Sequence, residues 1–96
     1  MIILPIKKKW FDMIKSGEKK EEYREIKPYW TTRFMNELRK SFEIPITVLF
    51  RNGYRKDSPT IQCKCLLTKG IGKVKWGAEP NKEYYVLHIR EVANDK

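Results

Sequence analysis

Lys19, Glu22 and Arg24 fall within six residues, just after Gly17. An ammonium, a carboxylate and a guanidinium so close together can do acid–base work on a phosphate. The carboxylate is the base. The ammonium is the acid or charge stabiliser, and the guanidinium is a bidentate clamp on phosphate oxygens. Cleavage of single-stranded RNA through the ribose 2′-hydroxyl needs those functions and no metal. The same three charges also form, in the blandest reading, an ion-pair network at a strand edge.

A metal or cofactor is not expected. His88 is the only histidine, and Cys63 and Cys65 are the only cysteines. A structural zinc site takes about four nitrogen or sulfur ligands. Two cysteines at i and i+2 on a strand share a face but are badly placed to bridge each other. Both read as small core residues. Glu79 is a possible second carboxylate, and His88, alternating with Val86 and Arg90, reads as structural.

The elements that must position these residues follow from hydrophobic periodicity. Residues 2–6 read as a buried strand with Ile3 in the core. Residues 7–16 read as a helix whose apolar face is Ile6, Trp10, Met13 and Ile14. Gly17 sits where a left-handed helix cap belongs, because glycine takes positive φ without a Cβ clash. Residues 20–26 read as a strand with Glu22 and Arg24 on one face and Tyr23 on the other. Strand parity alone puts Lys19 with Tyr23, but at an exposed strand entrance the backbone need not keep that parity. Trp30, Phe34 and Leu38 mark a second helix over 30–40, with Thr31, Arg33, Glu37 and Arg39 outside. Pro45 closes the connection. Strands follow over 46–51, 60–68 and 83–92. The Asn52-Gly53 turn opens a loop reaching Pro59, residues 69–77 continue as a bent or bulged strand, and 93–96 form a polar tail. The predicted fold is α+β: a small mixed β-barrel of about five strands with two helices, its core led by Ile3, Trp10, Ile14, Val48, Cys63, Cys65 and Leu87.

Residues 1–96 form one domain, too small for a second core. Net charge is +9, and residues 51–76 hold seven lysines or arginines against the single acid Asp57. Such a field concentrates polyanions, and aromatics and glycines among the charges suit phosphate contact with base stacking. Lys8, Arg51, Tyr54, Arg55, Lys73, Lys75 and Trp76 are the candidate RNA-contacting residues. No apolar run approaches the roughly 20 residues a membrane helix needs. A cytoplasmic monomer without a membrane partner is expected.

Gly17, Lys19, Glu22 and Arg24 match G-x-K-x-x-E-x-R, which resembles the pattern of the ASCH family. Gly72, Trp76-Gly77 and the Tyr84-Tyr85-Val86-Leu87 strand resemble its later part, so the resemblance spans nearly the whole chain. It implies a PUA-like barrel with a cleft between barrel and first helix, lined by the motif residues, and a link to RNA. One branch of that family hydrolyses acylated cytidine with a lysine followed three residues later by a threonine nucleophile. Glu22 stands at that position here, and a carboxylate does not simply replace threonine in acyl transfer. The leading expectation is an RNA-binding domain, with RNA cleavage by Lys19, Glu22 and Arg24 as an added capability. A small hydrolase of a modified, acylated nucleoside and a non-catalytic interaction domain stay open beside it.

Overall fold

The computed structural model describes residues 1–40 and 45–93. Residues 94–96 of the predicted tail lie outside the described residues. The chain runs β1 (Ile2–Ile6), α1 (Lys8–Ser16), β2 (Glu21–Glu25), α2 (Pro28–Lys40), β3 (Ile46–Asn52), β4 (Thr60–Ile71), a 3-10 turn (Val74–Trp76) and β5 (Glu83–Val92). The five strands form one mixed, strongly curled half-barrel in the order β1-β3-β4-β5-β2. β1 and β3 are parallel, and the other pairs are antiparallel. The expected small α+β barrel with two helices is what forms.

This order leaves β1 and β2 as the two sheet edges, with α1 linking them across the gap. Pro5 can sit in β1 because an edge strand has one side free of ladder bonds. Gly17 caps α1 at φ 88°, its N–H donating to the Ile14 carbonyl oxygen at 3.1 Å. α2 starts at Pro28, two residues earlier than the aromatic repeat indicated, since proline's fixed φ suits a first helical position. β4 and β5 pair along nearly their full length, with a bulge at Lys64/Cys65 that helps curl the sheet.

The concave face holds the main core: Leu4, Ile6, Phe11, Ile14, Phe34, Val48, Phe50, Cys63, Cys65 and Leu87. Ile3, expected in the core, is 44% exposed. β1 alternates, and its inward residues are Ile2, Leu4 and Ile6; an unbroken apolar run carries no parity signal to show this. Glu37, expected outside, is buried, with its carboxylate 2.5 Å from the N-terminal ammonium. It lies three residues after Phe34, so the buried arc of α2 takes it in.

A smaller cluster of Tyr23, Trp76, Ala78, Tyr84 and Val86 covers the other face near β2. It exists because residues 72–78 leave the β4 ladder and fold back over that face instead of extending as a bent strand. Gly72 permits the approach: a Cβ there would stand 2.6 Å from the Ala78 Cβ and 2.9 Å from the Tyr23 ring. Gly72→Ala is therefore expected to cost about 1–3 kcal/mol in urea unfolding, as overpacking does.

Candidate functional site

Lys19 lies before β2 begins, which frees it from strand parity. Its backbone N–H donates to the Met13 carbonyl oxygen at 3.0 Å, and its side chain turns inward with Glu22. The residue is 1% exposed, so the expected exposed strand entrance is in fact a fully buried position. Its ammonium donates to the Glu21 carbonyl oxygen at 2.5 Å and the Trp76 carbonyl oxygen at 3.0 Å, and lies 2.9 Å from Glu22 Oε1. An ammonium has three donors, and all three are used. The Trp10 and Tyr23 rings flank it, each with its centroid 5.1 Å away. Burial lowers the Lys19 pKa from the ordinary lysine value, while the attraction of Glu22 opposes the shift.

Glu22 is buried and spends both oxygens, Oε1 on Lys19 and Oε2 on Arg24 Nη1 at 2.5 Å. Arg24 Nη1 also donates to the Tyr23 carbonyl oxygen at 2.7 Å, and Nη2 to the Pro5 carbonyl oxygen at 3.2 Å. That last bond crosses the gap between the two edge strands. Of the five guanidinium N–H groups, these bonds use three. The charge chain thus runs from the Trp76 carbonyl through Lys19, Glu22 and Arg24 to β1, and only Arg24 reaches an open surface.

That surface is a cleft of about 580 Å³. Arg24 and Pro5 line it, and the Trp30 ring packs on the guanidinium at 5.3 Å. The exposed Tyr29 and Tyr54 line it together with parts of the buried Tyr23 and Tyr84, and so does Glu25, paired with Lys82 at 2.7 Å and Lys27 at 3.2 Å. The hydrogen bond from Lys82 holds the Glu25 carboxyl below the usual range. The volume suits one small ligand, with stacking surface and a cation in one place.

Other expected residues fall in different settings. Tyr54 is 85% exposed at the cleft rim, and Arg55 is exposed beside Asp57 at 3.7 Å. Arg51 is half-buried on β3, its Nε buried without a hydrogen-bond partner. Lys73 and Lys75 are exposed, with their ammoniums 5.8 and 4.9 Å from the centroid of the buried Trp76 ring. Lys8 is 2.6 Å from Asp12, so its charge is already paired. Glu79 is exposed near Lys82 at 3.5 Å. His88 Nε2 is 2.8 Å from Thr68 Oγ1 and its Nδ1 is 3.6 Å from Glu21 Oε2, linking three strands on the outer face. Burial pushes the Cys63 and Cys65 thiols up to about 12, which keeps them unreactive.

The sequence reading missed Tyr29, Trp30 and Tyr84 as site residues. Trp30 repeats with Phe34 and Leu38 and so reads as core. Tyr29, immediately before it, is the one sequence signal that an aromatic faces outward there. Comparison of the chain with protein families, curated proteins and solved structures found no match.

Removing one partner of a buried ion pair strands the other. Lys19→Met is expected to cost about 3 kcal/mol in urea unfolding, the low end of the usual range because Arg24 still pairs with Glu22. Adding Glu22→Gln to Lys19→Met should recover part of that loss, and a double-mutant cycle measures the coupling.

Proposed function

We propose that this chain is an ASCH-like RNA-binding domain whose cleft holds one unpaired nucleotide of a single strand. On this reading Lys19 and Glu22 hold the cleft in shape and do no chemistry. The observation that carries it is Arg24: a guanidinium braced by Glu22 and Pro5, packed on Trp30 and lining an aromatic cleft, with two of its N–H groups without a partner among the described residues. A flat base stacks on the exposed Tyr29 and Tyr54 rings, while the backbone phosphate takes the remaining Arg24 donors. Lys19 is a poor candidate for the acid because every ammonium donor already has a partner, and Glu22 for the base because it is buried with each oxygen held by a cation.

The hydrolase alternative draws on one observation, a lysine whose pKa burial lowers beside a carboxylate. Its substrate would be an acylated nucleoside in the same cleft, with water activated by that pair. The buried position of Lys19 gives such a water no room next to the ammonium.

Fluorescence titration with a short oligouridylate tests the binding reading. Tyr29→Ala and Tyr54→Ala are each expected to weaken binding by about 1–3 kcal/mol, as loss of a base-stacking ring does. Incubation with N4-acetylcytidine or with the oligonucleotide should release no product. Turnover that disappears in Glu22→Gln would overturn the reading in favour of catalysis.

A further inference from the structure

Lys9, Lys73 and Lys75 are exposed, and among the described residues none of them pairs with a carboxylate. They come from two distant parts of the chain, Lys9 lying over Trp10 and Lys73 and Lys75 over Trp76. Lys9 lies 4.7 Å from the Trp10 ring centroid, and Lys75 lies 4.9 Å and Lys73 5.8 Å from that of Trp76. Gly77, next to Trp76, brings its backbone against the Trp10 ring: a Cβ there would stand 3.1 Å from Trp10 Cζ2. Gly77 holds φ 101°, a conformation that favours glycine.

The segment bearing Lys73 and Lys75 is fastened from below. Lys19 donates to the Trp76 carbonyl oxygen, and the Lys73 backbone N–H donates to the Tyr23 hydroxyl at 2.9 Å. Two cations on a pinned segment, with Lys9 on the helix beside it, are held at a backbone that loses little freedom on binding an anion, so more of the attraction appears as affinity. The same support borders the cleft. Parts of Tyr23 and Tyr84 line the cleft, and both hydroxyls anchor the segment, the second by accepting from the Glu79 N–H at 3.0 Å.

We infer that Lys9, Lys73 and Lys75 form a ridge that contacts the phosphates of a nucleic-acid strand leaving the cleft. The inference rests on the cleft reading for the direction of the strand, but the ridge makes a separate, sequence-independent contact. The partner is a single strand, because one ribbon can place a base among the tyrosines and carry the following phosphates across the ridge. A vesicle of anionic lipid offers the same charges without a base for the cleft.

The test measures the binding of uridine monophosphate and dodecauridylate over a range of salt. The triple variant Lys9→Gln/Lys73→Gln/Lys75→Gln changes only exposed side chains. Its salt slope for dodecauridylate should be shallower by about 0.7 per lysine, roughly 2 in all, with uridine monophosphate binding unchanged. An unchanged dodecauridylate slope overturns the ridge. Loss of slope in a protein that binds no uridine monophosphate leaves the ridge standing and removes the cleft reading alone. If the variant loses binding to phosphatidylserine vesicles but keeps dodecauridylate affinity and slope, the strand assignment is overturned in favour of a membrane surface.

Discussion

The buried charge chain Lys19–Glu22–Arg24 is the constraint that the rest of the structure serves. Burying the Lys19 and Glu22 charges, with Arg24 half-buried beside them, costs several kcal/mol per buried ion unless donors and acceptors find partners. The fold meets that demand with main-chain carbonyls from separate regions: Glu21 and Trp76 for Lys19, Tyr23 and Pro5 for Arg24. The half-barrel leaves a gap between its edge strands, and the Arg24 bond to Pro5 spans it. The Trp76 carbonyl reaches Lys19 only because Gly72 and Gly77 let residues 72–78 lie against Tyr23 and Trp10. One local charge cluster thus fixes the open seam and the basic segment together.

On the proposed reading, the same chain separates a holding role from a contacting role. A residue whose polar atoms are all engaged cannot serve a substrate without first breaking those bonds. Lys19 is in that position, Glu22 is buried between the two cations, and Arg24 lines the cleft. A compact basic domain gains from this division, since the cation lining the cleft is aimed by buried groups. Pre-aimed charge loses less on binding than charge on a freely rotating side chain.

Much of this was legible in the sequence. The helix over Lys8–Ser16 with its Gly17 cap, the final strand Glu83–Val92 and the inward face of Cys63 and Cys65 follow from period and turn chemistry. So does the shared face of Glu22 and Arg24. The burial of Lys19 was not legible, because it depends on a carbonyl 57 residues away. Ile3 and Ile2 are chemically alike, so only the sheet decides which faces in. The aromatic cleft was hidden for a similar reason: Trp30 carries a core period, Tyr54 stands in a loop, and Tyr84 begins a strand. Lys8 and Lys9 differ only in that Asp12 lies one helical turn beyond Lys8, a pairing that the i, i+4 rule does make readable.

Nuclear magnetic resonance mapping of the chain with dodecauridylate tests most directly whether the cleft is the nucleotide site. The account predicts that the Trp30 indole N–H, the Arg24 Nε–H and the Tyr54 amide shift together and saturate together, while the protein leaves the strand uncut. Shifts confined to the outer sheet face around Gln62, Lys64 and Arg90, with those three cleft signals unmoved at saturation, would contradict it.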